Sequence, residues 1–313
     1  MRYLYWSSLK MMRDCPQRYL WTKGHPDHDL GAGKGKPKPL EDAERSSEHF
    51  KLMGSVLSKV VEDMYNKKLY LNPQDLLAKL TKIAEDEFLA LEPKHHILWT
   101  YMTRDQALKI VTDGVRNFLE IVKEHKMLGS YAQSELRMTP QVNRNLKVCG
   151  IADLVYRDSE GKLHILDGKN ASTPMKYEDP DQLRWYALAF RLEYGFLPDK
   201  LGFFYFRYPK SMPPKVNPDP SKEWTGLVEV EFDEQDIVRL GEEAIETGRF
   251  IDRGVFEPNP IPKKCSMCDY ENVCEARQEQ RKLNASKRKP KKKSEKLYDG
   301  SETFSLGDNK LWN

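Results

Sequence analysis

Two aspartates and a lysine stand close together in C-G-I-A-D-L-V-Y-R-D-S-E-G-K-L-H-I-L-D-G-K-N, residues 149–170. Asp153 lies in one alternating apolar run and Asp167 ends the next. Between them Arg157-Asp158-Ser159-Glu160-Gly161 has the composition of a hairpin turn. In a hairpin of this length the two carboxylates approach each other near one edge of the sheet. Lys169, two residues beyond Asp167, points to the same face. Two acids and a lysine around one spot are costly without a purpose. A divalent cation resolves the repulsion: Mg²⁺ or Mn²⁺ takes oxygen ligands and leaves positions open for water and phosphate. Such an ion would activate water and stabilise charge on phosphate, with Lys169 orienting the nucleophile or assisting its deprotonation. A salt-bridged hairpin end carries the same D-x-K spacing, which alone is common.

Thiols form a second constellation. Cys265, Cys268 and Cys274 lie in C-S-M-C-D-Y-E-N-V-C, and Cys15 stands near the opposite end of the chain. Gaps this short let neighbouring thiolates reach one metal centre, and a distant fourth ligand staples the chain ends together. Pro262, Lys263 and Lys264 hold the loop open and favour thiolate. Zinc and an iron–sulfur cluster both suit such ligands, and the spacing does not choose between them. The fifth cysteine, Cys149, alternates with Val148 and Ile151 in a strand pattern and reads as core.

The elements that must position these groups follow from hydrophobic period. Ser7–Trp21 reads as one short helix, Lys23–Leu40 as a Gly/Lys/Pro-rich loop, and Glu48–Tyr70 as a helix with apolar residues every three or four positions. Two more helices are expected near Pro73–Leu91 and Arg104–His125. Then the period drops to two: Ala132–Thr139, Leu146–Tyr156 and Lys162–Asp167 read as strands. Asp179–Tyr194 reads as a helix with Pro180 in its first turn. Strands at Leu201–Arg207 and Gly226–Phe232 flank a Pro-rich loop from Pro209 to Pro220, and a helix over Glu234–Asp252 closes the core. This order makes one α/β domain with a mostly helical front part.

G-I-A-D, I-L-D-G-K and Q-L-R-W-Y-A, in that order, resemble the RecB-type branch of the PD-(D/E)XK nucleases. The opening W-S-S-L-K-M-M-R-D-C-P-Q-R-Y resembles the helix that carries the first cluster cysteine in that branch. One cysteine in front and three behind is similar to its iron–sulfur members, among them CRISPR adaptation nucleases and phage exonucleases. The likeness covers about residues 5 to 278. It implies a restriction-endonuclease-like α/β core, a central mixed sheet flanked by helices, with a Cys-cluster staple joining the two ends. It also implies a 4Fe-4S cluster on Cys15, Cys265, Cys268 and Cys274, a Mg²⁺ or Mn²⁺ site, and exonucleolytic cleavage of DNA that is single-stranded or has free ends. Carried over by position, Asp153 and Asp167 are metal ligands, the Gly168 carbonyl is a further ligand, and Lys169 is the catalytic lysine. Gln182 and Tyr186, four apart on one helix face, brace the site or touch the strand. Glu135 is an outer acid or a solvated strand residue.

One departure stands out. The family carries G-x-x-x-H on an early helix, whereas this chain has G-S-V-L-S, with Ser58 in place of the histidine. Glu62, one turn on along the same face, is the candidate substitute ligand. His49 and His164 lie at other positions and read as structural. The substitution supports an alternative reading, a catalytically weak DNA-binding scaffold that keeps fold and cluster. A zinc-stapled interaction module is a third.

Composition limits the partners. Hydrophobic residues, 39%, suffice for a core, and no apolar run is long enough for a membrane helix, so an intracellular, cytoplasmic protein with reduced thiols is expected. The net charge of +3 is uneven: residues 284–313 carry eight Lys/Arg and four Asp/Glu, a balance of +4, which leaves −1 on the rest. Residues 1–283 thus form the expected catalytic domain. Residues 284–313, with K-R-K-P-K-K-K, form a basic, disordered tail that contacts DNA phosphates or a protein partner.

Overall fold

The computed structural model describes residues 1–25, 48–100, 102–129, 131–175, 178–207 and 225–287. Its centre is β4, Leu146–Arg157, twelve residues long and buried at nearly every second position or more. The first half of β4 lies between β1 (Arg2–Tyr5), parallel to it, and the short antiparallel β3 (Gln141–Asn143). The second half lies between antiparallel β2 (Tyr131–Met138) and antiparallel β5 (Leu163–Lys169). Beyond β5 come β6 (Lys200–Tyr205), parallel, and β7 (Leu227–Val230), antiparallel. The result is a seven-stranded mixed sheet.

Alternation along the strands gives the sheet two apolar faces. Val155, Ile165, Leu201, Phe203 and Tyr205 pack against α1 (Trp6–Asp14), α6 (Pro180–Tyr194) and α7 (Glu234–Arg253). Leu154, Tyr156, Leu166, Phe204 and Phe206 pack against α3 (His49–Asn66), α4 (Leu76–Leu91) and α5 (Arg104–Glu124). Helices on both faces of a mixed sheet are the expected restriction-endonuclease-like layering. The β5–α6–β6 unit makes the parallel crossover that such a sheet needs. A capping box of Thr103 and Gln106 starts α5, and one of Asp233 and Asp236 starts α7.

Several local expectations change. The single helix over Ser7–Trp21 is two, α1 and α2 (Pro16–Lys23), broken at Cys15, whose backbone is extended at φ −166° and ψ 106°. Pro16 causes the break, because its ring disfavours helical geometry in the residue before it. Strands β1 and β3 were not expected: four and three residues give too little pattern, and the partner of β1 is far along the chain. Past α7 the chain forms α8 (Pro262–Cys265) and α9 (Glu275–Lys287), the latter running across the boundary expected after residue 283. Most of the Lys23–Leu40 loop, the Pro209–Pro220 loop and the basic tail beyond Lys287 lie outside the described residues. Among the described residues no helix is long and apolar enough to cross a membrane.

The two ends of the chain meet. Trp21 packs edge-on against Tyr270, with centroids 5.3 Å apart, Lys264 pairs with Asp14, and Arg2 pairs with Asp252. On the opposite face of the sheet, Phe118 of α5 lies 5.5 Å from Phe204 and 5.8 Å from Phe206, behind the end of β5. Phe118 is fully buried, so Phe118→Ala leaves a cavity there. We expect it to lower unfolding free energy by about 3–5 kcal/mol in denaturant titration.

Candidate active site

The hairpin of β4 and β5 brings the two aspartates together as their spacing requires. Its last paired residues are Leu154 and Leu166, so Asp153 and Asp167 stand just past the end of the ladder. Here the Gly168 N–H donates to Asp153 Oδ2 at 2.8 Å. Only glycine fits at 168, since a Cβ would stand 2.7 Å from Phe204 Cζ and 3.0 Å from Phe206 Cε2. Lys169 Nζ lies 2.6 Å from Asp167 Oδ2 and donates to Gln182 Oε1 at 3.0 Å. Gln182 Nε2 in turn donates to Asp167 Oδ1 at 2.8 Å and to the Tyr186 hydroxyl at 3.0 Å. Asp153, Asp167, Lys169, Gln182 and Tyr186 thus form one connected group at the end of β5, roofed by α6.

The electrostatics are those of an acidic pair that shares one lysine. Asp167 is buried, and its Oδ2 meets the Lys169 ammonium without a well-aligned hydrogen bond. Burial and the Asp167 charge push the Asp153 carboxyl well above the ordinary range, against the Gly168 N–H that favours its ionised form. Burial also raises Asp167, opposed by Lys169. Glu135 joins them: burial, then the charge of Glu62, raises its carboxyl. Its backbone is left-handed at φ 54° inside β2, a strained conformation for a residue other than glycine, and its charge acts on Asp153. A buried and a half-buried carboxylate that share one lysine, with a third acid beside them, fit a hard divalent cation.

Glu62 is less direct. Its carboxylate pairs with Lys59 Nζ at 3.1 Å, and its field acts on Glu135. His164 is buried between Tyr156 and Asp158, 2.9 Å from Asp158 Oδ2, and His49 is buried at the start of α3. Cys149 is core, as its alternation suggests, and its carbonyl accepts from Trp185 Nε1 at 2.9 Å. Three neighbours escaped sequence reasoning. Glu178 acts on Asp167 and Tyr205, while Asn170 and Arg207 line a groove beside Lys169. They lie at irregular element ends, where no periodicity announces them.

At the other end of the molecule Cys15, Cys265, Cys268 and Cys274 line one cavity as free thiols. The Asn259 N–H points at Cys15 Sγ at 3.4 Å, and Cys274 Sγ lies 3.6 Å from Gln17 Oε1. Burial raises the Cys265 and Cys268 thiols, with Arg277 and Arg18 respectively among the groups opposing it. The buried Arg18 Nε has no hydrogen-bond partner among the described residues. Four thiols with cationic neighbours and an amide donor fit an anionic, thiolate-bound group. Among the described residues no three or more His, Cys, Asp or Glu side chains are already gathered as a single ion requires.

A family model described as the PD-(D/E)XK nuclease superfamily matches residues 6–275. No curated protein matches the chain. Among solved structures, "Crystal structure of SSO0001" is similar at 19% identity over 55% of this chain and 78% of that one, with a TM-score of 0.31. Protein VC1899 from Vibrio cholerae is similar at 12% identity over 66% of this chain and 57% of its own, with a TM-score of 0.23. Neither structural likeness bears on function at these scores.

The raised Asp153 carboxyl has a consequence for stability. Folded, it keeps its proton to higher pH than it does unfolded, so its contribution turns unfavourable as pH rises above the ordinary aspartate value near 4. Metal-free protein should therefore lose melting temperature from about pH 4 toward neutrality more steeply than Asp153→Asn does. Adding Mn²⁺ at neutral pH should raise the melting temperature of the parent and leave that of Asp153→Asn nearly unchanged. Parallel melting curves for the two proteins across pH in chelator would refute the burial argument.

Proposed function

The chain belongs to the PD-(D/E)XK nuclease superfamily, and from that premise we propose that it is a DNA exonuclease of the RecB-type branch, with Asp153, Asp167 and Lys169 as its catalytic set. The observation that carries this reading is the connected group at the end of β5, in which one glutamine holds Lys169 and the buried Asp167 while the Gly168 N–H holds Asp153 beside them. Asp153, Asp167 and the Gly168 carbonyl would hold Mg²⁺ or Mn²⁺, whose Lewis acidity activates water and stabilises charge on the scissile phosphate. The protein's part is to fix the charges around that phosphate. Gln182 accepts from Lys169 and donates to Asp167, so its amide is locked in one orientation and holds the ammonium toward the attacking side. Tyr186, buried and with its hydroxyl acidity suppressed by burial and Asp167, stays neutral and closes the site against bulk water. Glu62 takes the place of the histidine absent at Ser58, acting through Glu135 or through water.

DNA with a free end or a single strand is the substrate under this proposal, and residues 1–283 are the nuclease domain. The four cysteines hold a 4Fe-4S cluster that staples α2 to the segment before α9. The thiol set, the Asn259 amide and the flanking Arg18 and Arg277 support this. A partner for the basic tail belongs to the same proposal. The absent histidine favours one competing reading, a binding scaffold with little catalysis.

End-labelled single- and double-stranded DNA, followed over time with Mn²⁺ or Mg²⁺, separates these readings. The parent should release short products progressively from an end. Asp167→Ala and Lys169→Ala should each lose on the order of a hundredfold or more in rate while keeping the parental circular dichroism. Parental rates in either variant would refute the catalytic set, and an inactive parent that binds DNA would favour the scaffold.

Protein purified without oxygen should be brown and hold about four irons per chain. Cys268→Ser should lose iron and melt at lower temperature. One zinc and no iron after anaerobic reconstitution would overturn the cluster assignment.

A further inference from the structure

A groove runs from Lys169 past Asn170 and Ala171 to Arg207, with Phe50 and Gly54 of α3 as its other wall. Four features of it lack a structural explanation. Phe50 is 54% exposed at the first turn of α3, with its ring tilted against His49 at 4.1 Å between centroids, although its neighbours Leu52 and Met53 are fully buried. Gly54, one turn further on the same face, has nothing within 4 Å of where a Cβ would stand, so the wall there is open. The Asn170 amide nitrogen and oxygen are both buried and lack hydrogen-bond partners among the described residues, an arrangement that costs stability. Arg207 is half-buried, and burial alone shifts its guanidinium; no carboxylate among the described residues compensates it.

We propose that this groove holds an unpaired nucleotide of the DNA strand next to the phosphate at Lys169, with its base stacked on Phe50, its phosphate on Arg207 and its base edge or sugar on Asn170. The inference rests on the nuclease reading and deepens it by naming single-stranded DNA as the form that enters. Cationic groups at both ends of the groove suit successive phosphates of one strand. An aromatic wall between them suits a base, whose face is free for stacking only when the base has left the duplex. The Asn170 carboxamide offers a donor and an acceptor together, the pattern that a base edge or sugar satisfies. The open wall at Gly54 gives the strand room to pass α3.

The test uses the full chain, fluorescent oligothymidylate, and a blunt hairpin duplex of equal length. Binding is read by anisotropy in chelator at several salt concentrations, and cleavage by initial rates with Mn²⁺. Phe50→Ala should lose about tenfold in affinity for oligothymidylate, the weight of one stacked base, while Phe50→Tyr keeps it. Arg207→Ala should lower the salt slope by about one. Gly54→Leu should raise KM for the single strand with little change in kcat. Affinity for the hairpin should move less than twofold in all four variants. A parent that cuts DNA while Phe50→Ala and Arg207→Ala bind the single strand as it does overturns the groove and leaves the nuclease reading standing. A parent that neither binds nor cuts DNA overturns both.

Discussion

At 2.8 Å the Gly168 amide donates to a side-chain oxygen of the neighbouring strand, Asp153 Oδ2, instead of to a backbone carbonyl. Two carboxylates buried this close repel one another, and in the folded chain something must hold them there. The hydrogen bond does so from one side, since it stabilises the ionised form of Asp153. Lys169 and Gln182 do so from the other. The surroundings follow from this arrangement. Residue 168 must be glycine because Phe204 and Phe206 press on it from the opposite face, and those rings are fixed in turn by Phe118. Helix α6 must start where it does, so that Gln182 and Tyr186, one turn apart, reach Asp167 together. A site built on strand ends and one helix face is positioned more rigidly than one built on loops.

The parts of the site that could be read in the sequence are those under regular geometry. Period two put Asp153, Asp167 and Lys169 on one face. The four-residue step put Gln182 beside Tyr186. The cysteine-rich segment and the distant Cys15 were expected to meet, and all four cysteines line one cavity, though among the described residues no three His, Cys, Asp or Glu side chains are gathered as a single ion requires. What escaped the sequence depends on irregular backbone or on distant pairing. Glu135 was legible as an outer acid or a solvated strand residue, but its left-handed backbone was not, since no alternation announces it. Asn170, Glu178 and Arg207 follow or precede regular elements, so their directions are set by packing. Strand β1 exists because Arg2–Tyr5 finds Leu146–Cys149 far along the chain. Glu62 shows the limit of face arithmetic: the helical step places it one turn from Ser58 on α3, and there Lys59 pairs with its carboxylate.

The thiol end and the acidic end are parts of one scaffold, joined through α1. Cys15 follows α1 directly, and Arg13, on its last turn, reaches both Glu243 of α7 and Asp181 of α6, the latter at 3.2 Å. Asp181 also accepts from Arg239 at 2.7 Å and from Arg184 at 3.1 Å, and its carboxyl is held below the ordinary range by these guanidinium groups despite burial. Exposed ion pairs are individually weak. Here, however, three arginines converge on one half-buried carboxylate, and that residue immediately precedes Gln182. Trp6 of α1 also lies 6.4 Å from Trp185, one residue before Tyr186, and Trp185 is anchored to the Cys149 carbonyl of β4. A group bound by the four cysteines would fix the end of α1, and α1 is one of the supports that hold the first turn of α6 against the sheet. The effect of such a group would therefore be positional: it would limit how far α6 can shift, and so how far Gln182 can drift from Lys169 and Asp167, without itself touching either.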